Sequence, residues 1–95
     1  MEYEGFKQFI LERNQLSFAE LCLRRAQDIE FAYGHSIEEL VQDDAIMRKT
    51  LIDLEWKIGK QDLDNYQNTL RHYYEMVHGH KFPMRITGNR RLRDD

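Results

Sequence analysis

Apolar side chains recur every three or four residues along almost the whole chain, and few residues interrupt the pattern. The 95 residues include one proline and five glycines, whereas an all-β sandwich needs a turn signal roughly every 8 to 12 residues. A three-and-four spacing puts side chains on one face of an α-helix. The sequence therefore predicts an all-α fold, a small orthogonal bundle of four to five helices.

Two serine-led capping boxes mark the starts of two helices. Ser17 is followed three residues later by Glu20, and Ser36 by Glu39. In such a box the serine side chain caps the first turn of the helix and the glutamate reaches back to it. Gly34 stands where a left-handed C-terminal cap would end the first of these two helices.

The other helices have start and stop residues of the same kinds. An opening helix is predicted over about residues 2–13, because apolar residues share one stripe there. Aspartate is a common N-terminal cap and glycine a common C-terminal stop. We therefore expect two further helices, starting at Asp43 or Asp44 and at Asp62, and ending at Gly59 and Gly79.

The apolar faces of these helices define the predicted core. Cys22 lies on such a face, where a thiol acts as a small hydrophobe with a raised pKa. It is the only cysteine and cannot form an internal disulfide, which favours a reducing compartment. The predicted core residues are Phe6, Phe9, Ile10, Phe18, Leu21, Cys22, Ile29, Leu40, Leu51, Leu54, Leu70, Tyr73 and Val77.

The N-terminus is acidic where a secretion signal would be basic. The longest run without Asp, Glu, Lys or Arg covers only residues 31–37, and a helix that spans a bilayer needs about 20 apolar residues. We therefore expect a cytoplasmic protein with no cleavable signal and no membrane span.

Charge is distributed unevenly along the chain. The net charge is −3, yet residues 81–95 hold five basic and two acidic side chains. Four of these cations, Arg85, Arg90, Arg91 and Arg93, follow one another closely. We expect one helical domain over residues 1–82 and a basic tail over residues 83–95, which forms a short Gly88–Asn89 hairpin or stays flexible.

Four segments follow one another in a distinctive order: FKQFILER, LSFAELCLRRAQDIEFAYG, SIEELVQDDAIMRKTLIDL and NYQNTLRHYYEMVHG. This order resembles the N-terminal core-binding (SAM-like) domain of phage-type tyrosine recombinases, over Phe6 to Pro83. The last helix of that family often reads Y-x-x-x-L-R-x-Y-x-x-F. The matching positions here are Tyr66, Leu70, Arg71, Tyr73 or Tyr74, and Val77. The resemblance implies a helical clamp that lies across DNA, usually as part of a larger enzyme.

No catalytic or metal-binding motif accompanies this resemblance. The recombinase nucleophilic tyrosine and its arginine, lysine and histidine partners have no matching positions, and no phosphate-binding glycine loop or nucleophile elbow occurs. His72, His78 and His80 lack the i, i+4 spacing of helical zinc ligands. We therefore expect a non-catalytic protein without a metal, a cofactor or a small-molecule substrate.

Basic side chains indicate where DNA would bind. The first hypothesis is a non-catalytic DNA-binding module that contacts phosphates through a basic stripe and the tail. Acidic residues alternate with these cations along the helices, so only a local stripe can form. The candidate DNA-binding residues are Arg24, Arg25, Arg48, Lys49, Lys57, Lys60, Arg71, Arg90, Arg91 and Arg93.

The acidity of residues 1–80, which carry a net charge of −6, favours an alternative. This alternative is a helical protein–protein interaction domain, an adaptor or inhibitor that acts alone or as a homodimer and binds no nucleic acid. It would present Tyr74, Trp56 or Met84 to a partner helix. Tyr66 and Tyr73 lie on an apolar stripe and are expected in the core.

Overall fold

Five α-helices form the part of the chain that the structure describes, residues 1–83 of this computed structural model. They are α1 (Tyr3–Leu11), α2 (Leu16–Tyr33), α3 (Ile37–Leu40), α4 (Asp44–Ile58) and α5 (Leu63–His78). The predicted all-α fold is confirmed. The predicted tail from Met84 onward, with its Gly88–Asn89 hairpin, lies outside the described residues.

The core is built around α2 and α5, each of which contacts all four other helices. Tyr73 and Tyr74 on α5 are both buried. The ring of Phe6 lies 4.8 Å from that of Tyr73, and the ring of Phe82 lies 5.1 Å from that of Tyr74. Because Phe82 packs back on α5, residues 79–82 belong to the folded body.

Most of the predicted core is buried, but two of its members are wrong. Leu21 is 39% exposed and Val77 is 48% exposed. α2 buries Leu23 instead of Leu21; the two leucines point to nearly opposite sides, because successive helical residues turn by about 100°. Val77 lies in the last turn of α5, and Tyr74 takes the buried position one turn earlier. Phe9 and Phe18 are partly buried against the core.

Two of the predicted helix starts have the expected side-chain caps. The Ser36 hydroxyl oxygen accepts a hydrogen bond from the Glu39 N–H at 3.4 Å, and the Asp43 carboxylate accepts one from the Ile46 N–H at 2.9 Å. Gly34 and Gly79 take left-handed conformations, with φ of 68° and 80°. These groups satisfy helix-end N–H donors and carbonyls that would otherwise lack partners.

Ser17 does not cap α2, so that prediction is wrong. The helix begins at Leu16, and the backbone carbonyl of Gln15 accepts hydrogen bonds from the N–H groups of Phe18 and Ala19, both at 3.1 Å. Backbone bonds thus start the helix two residues earlier, and Ser17 lies exposed inside the first turn. Asp62 does precede α5, but its side chain makes no capping hydrogen bond.

A partly buried polar network ties the N-terminus to three helices. The Tyr73 hydroxyl accepts from the Glu2 N–H at 2.7 Å and donates to the Glu38 carboxylate at 2.6 Å. The Met1 amino group lies 3.2 Å from Glu38 and 3.3 Å from Glu30. Burial works to raise the pKa of Glu38, but the hydrogen bonds from Tyr73 and the amino group outweigh it, so the pKa lies below its ordinary value.

Candidate nucleic-acid interface

Three cations, Arg13, Arg71 and Lys81, line one cleft between α1, α5 and residues 81–82. Arg13 follows the end of α1, while Arg71 and His72 lie on α5. The left-handed Gly79 turns the chain after α5, and Phe82 is buried against that helix. This turn carries Lys81 back alongside α5, so side chains distant in sequence meet. We call this surface the α1–α5 cleft.

Glu75 is the carboxylate at the centre of the cleft. Its Oε2 atom lies 3.6 Å from Nη1 of Arg13, and the Arg13 guanidinium also lies over the Phe9 ring, 4.8 Å from the ring centre. Arg71 donates a hydrogen bond to the Phe82 carbonyl at 3.5 Å. Arg13, Arg71 and Lys81 thus line the cleft together with one carboxylate, which leaves an excess of positive charge among its lining residues.

His72 is half-buried at the floor of the cleft. Its ring meets Phe18 edge-on, with centres 6.2 Å apart. Burial lowers the pKa of His72 below its ordinary value, and the neighbouring Arg13, Arg71 and Lys81 lower it further, against the opposing effect of Glu75. His72 is thus mainly neutral near pH 7, and a negatively charged group in the cleft would raise its pKa.

Two adjoining depressions, of about 280 and 290 Å³, make up the cleft. His72, Glu75 and Lys81 line both of them. The first extends to Asn14 and the second to Asn68, so side-chain amides accompany the cations. Guanidinium, ammonium and amide groups are the donors that proteins use to hold phosphate oxygens. The lining of the cleft therefore has the donor chemistry that suits a phosphate group.

The predicted DNA-binding residues do not share one stripe. Arg24 is exposed on α2, whereas Arg25 is half-buried close enough to Cys22 and Tyr66 to affect the pKa of both. Lys60 follows α4 in the turn to α5. Of the candidates within residues 1–83, Arg71 is the one that lines the cleft. Arg90, Arg91 and Arg93 lie outside the described residues.

The cations of α4 divide between two sides of that helix. Arg48 and Lys49 line the same depression on its outer face. Nine residues separate Arg48 from Lys57, which is about two and a half helical turns, so these two side chains point in opposite directions. The Lys57 ammonium lies 5.3 Å from the centre of the Tyr33 ring. The cations of α4 therefore do not form a single basic stripe.

Sequence reasoning missed three residues of the cleft: Arg13, His72 and Lys81. One signal was present, because Arg71, His72 and Glu75 fall within about one helical turn of α5. Arg13 and Lys81 reach the cleft because α1 and residues 80–82 pack on α5. The spacing of these residues in the sequence does not reveal that packing.

The aromatic residues considered for partner binding also separate. Tyr74 is buried, with 2% of its surface exposed, and its hydroxyl donates to the Asp44 carboxylate; its prediction as a partner-contacting residue is therefore wrong. Trp56 is 83% exposed and can contact a partner. Tyr73 is buried, as predicted, and the half-buried Tyr66 donates to Asp28 at 2.8 Å. Met84 lies outside the described residues.

The histidines near the end of α5 have local partners. His78 lies 2.7 Å from the Val41 carbonyl through Nε2, and its ring lies 4.1 Å from that of Tyr74. Among residues 1–83, His, Cys, Asp and Glu side chains form no group of three that could hold a metal ion. Burial raises the pKa of the Cys22 thiol, as predicted.

Comparison of the chain with protein-family models, curated proteins and solved structures found no match. Within residues 1–83, each helix is too short or too polar to cross a membrane. The chemistry of the α1–α5 cleft and of the other exposed surfaces therefore indicates the function.

Proposed function

We propose that this chain is a non-catalytic nucleic-acid-binding module that holds the phosphate backbone of DNA in the α1–α5 cleft. One observation supports the proposal above the others. Arg13, Arg71 and Lys81 line one cleft in which Glu75 is the single carboxylate among the described lining residues. The cleft thus offers more positive than negative charge to a ligand.

The chemistry of the cleft fits a phosphate backbone better than base edges. Its cations line two depressions on the surface of the body and come from α5 and from the residues after α1 and α5, so they do not lie along the face of one helix that could enter a groove. Phosphate contacts fix a protein on the duplex without reading its sequence. We therefore expect weak affinity, a steep dependence on salt and little preference among DNA sequences.

The cleft can be tested with the double variant Arg71→Gln, Lys81→Gln. Each lost phosphate contact should reduce the steepness of log K against log salt by about 0.9, so the variant should bind a short mixed-sequence duplex more weakly and with a flatter slope. Arg24→Gln is the matched control, since Arg24 is an exposed arginine on α2. If both variants bind as the wild type does, the cleft is not the interface.

The tail is tested separately by replacing Arg90, Arg91 and Arg93 with glutamine. This triple variant should also bind more weakly at low salt, with a flatter slope, because three potential phosphate contacts are removed. Its thermal midpoint should stay near that of the wild type, as expected for residues outside the core. A chain that binds no duplex even at low ionic strength would refute the proposed function as a whole.

Protein binding is the second candidate function, and the exposed aromatic residues favour it. Trp56 is 83% exposed and Phe31 is 92% exposed. Large aromatic side chains are enriched in protein interfaces, and fully solvated ones gain most from burial. If DNA does not bind, an interaction domain that uses one of these aromatic surfaces is the better account.

A further inference from the structure

The outer face of α4 turns apolar side chains toward solvent. Ile52 is 44% exposed and Trp56 is 83% exposed, and Ala45 is exposed on the same side. Arg48 and Lys49 border these residues. Such a face on a helix that packs its other side on α2 and α5 is suited to a partner helix.

A depression of about 500 Å³ lies on this face, on the N-terminal side of Ile52. Asp44, Ala45, Arg48, Lys49 and Ile52 line it. Trp56 lies on the C-terminal side of Ile52, about 6 Å along the helix axis at 1.5 Å per residue. The other lining residues lie three to eight positions before Ile52, about 4.5 to 12 Å along the axis in the opposite direction. The face therefore carries a large projecting ring and a hollow, placed on opposite sides of one residue.

We infer that α4 is a self-association site whose occupant is α4 of a second copy of this chain, running antiparallel. A two-fold axis at Ile52 brings the two isoleucines together. It also sets Trp56 of each copy over the depression of the other. Such an interface is isologous, with the same patch used by both copies, which is the commonest arrangement in homodimers.

The charges on this face are complementary in the same arrangement. Arg48 and Glu55 lie on one side of Ile52, seven residues or nearly two turns apart, and Lys49 and Trp56 lie on the other side with the same separation. Antiparallel pairing about Ile52 brings Arg48 of one copy to Glu55 of the other. It likewise brings Lys49 to the Trp56 ring, a cation–π contact. Each contact occurs twice.

A parallel pair would not gain these contacts. It would bring Arg48 against Arg48 and leave each tryptophan beside its counterpart instead of the depression. Flanking charges of this kind set the orientation of paired helices. A single helix face is smaller than the surface of about 1,200 to 2,000 Å² buried in stable complexes. The dimer therefore dissociates on dilution, with a Kd in the micromolar range or weaker.

Sedimentation equilibrium of the full chain, without DNA and over a wide concentration range, measures this association. The wild type should shift from monomer to dimer as its concentration rises. Trp56→Ala should shift the equilibrium toward monomer by at least tenfold in Kd. Phe31→Ala is the matched control, because Phe31 is equally solvated but lies on α2, and it should leave the Kd unchanged.

Charge exchange tests the antiparallel register. Arg48→Glu and Glu55→Arg should each weaken the dimer, since each places like charges opposite each other. The double variant should restore it, and an equimolar mixture of the two single variants should form a heterodimer. Circular dichroism checks that every variant remains folded. The inference does not depend on DNA binding, so the two proposals fail independently.

Three results would overturn the inference. One is a wild type that stays monomeric at the highest concentration. A second is an equal effect of Phe31→Ala and Trp56→Ala. The third is a double charge variant that is no better associated than the single variants. A monomeric chain whose α4 face instead binds an acidic helix of another protein would likewise exclude the second copy as occupant.

Discussion

His72 is the residue of the cleft whose protonation depends most directly on its surroundings. Burial lowers its pKa, and so do the charges of Arg13, Arg71 and Lys81. The unfolded chain therefore takes up this proton at a higher pH than the folded chain. By linkage, the contribution of His72 to stability is complete above the ordinary pKa of 6.5 and is lost as the pH falls toward the lower pKa of the folded state.

His72→Gln should remove this part of the acid destabilisation. Urea unfolding at pH 7 and at pH 5 should show a smaller fall in the free energy of unfolding for the variant than for the wild type. The exposed His35, which pairs with Glu39 at 3.4 Å, supplies the control His35→Gln. An identical fall in the wild type and the His72 variant would show that the folded chain protonates this ring freely.

Tyr73 joins the aromatic core to the N-terminal polar network. Tyr73→Phe keeps the ring beside Phe6 but removes the hydroxyl that links Glu2 to Glu38. Because Glu2 is exposed and Glu38 is only partly buried, the lost hydrogen bonds should cost about 0.5 to 1.5 kcal/mol. We expect a loss of that size in denaturant unfolding. Tyr3→Phe, at a site that is 44% exposed, should change stability little; equal effects would argue against the network.

At the level of the helices, the two serine boxes should behave differently. Ser36 caps α3 through its side chain, so Ser36→Ala should cost about 1 kcal/mol. Ser17 makes no capping hydrogen bond, and Ser17→Ala should be neutral or slightly stabilising, because alanine is the better helix former. Denaturant midpoints measure both effects. A clear loss for Ser17→Ala would mean that α2 starts later than described.

The helices could be predicted from the sequence wherever the signal was local. Ser36, Asp43 and the glycines at positions 34 and 79 act within one turn, and their roles are confirmed. The choice between Leu21 and Leu23 was not local, because both are apolar and packing against the other helices decides which one is buried. The predicted start of α2 was wrong for a related reason. The N–H groups of Phe18 and Ala19 bond to the Gln15 carbonyl, so the helix starts before Ser17.

The candidate cleft was less predictable than the helices. Arg71 was identified because it is a cation in a helical pattern, but Arg13 is 58 positions earlier in the chain. Lys81 reaches the cleft only because the chain turns at Gly79 and Phe82 packs on Tyr74. Arg13 and Lys81 come close to α5 only when the helices pack, so the positions of charges along the sequence do not predict it.

For the whole molecule, tyrosine ionisation should set the limit of stability in alkali. Burial raises the pKa of Tyr33 to about 12, helped by Asp53, and burial with the Asp44 hydrogen bond does the same for Tyr74. Burial and Glu38 also raise the pKa of Tyr73. These groups favour the folded state fully below the ordinary pKa of 10, and this contribution is lost as the pH rises toward 12.

Helix content and tyrosinate absorbance, followed together against pH, check this expectation. Tyr33, Tyr73 and Tyr74 should ionise together with the loss of helical signal, at a pH closer to 12. If every tyrosine ionised near pH 10 without loss of helix, the buried hydroxyls would be more accessible than the structure describes.

If the α1–α5 cleft binds the phosphate backbone, removal of its carboxylate, Glu75, should strengthen binding. Glu75→Gln removes the single carboxylate at the centre of the cleft and releases Arg13 from its ion pair. If the substitution damaged the fold, DNA binding would weaken. If the cleft binds phosphate, the substitution makes the cleft more positive and DNA binding should strengthen. The exposed Glu20 on α2 supplies the control Glu20→Gln.

The measurement is fluorescence anisotropy of a labelled duplex, titrated with the wild type, Glu75→Gln and Glu20→Gln at several salt concentrations. We expect Glu75→Gln to bind the duplex more tightly than the wild type at low salt and with a steeper salt dependence. Glu20→Gln should change the affinity and the salt dependence much less. Equal affinities for all three proteins, or weaker binding by a folded Glu75→Gln, would contradict this expectation.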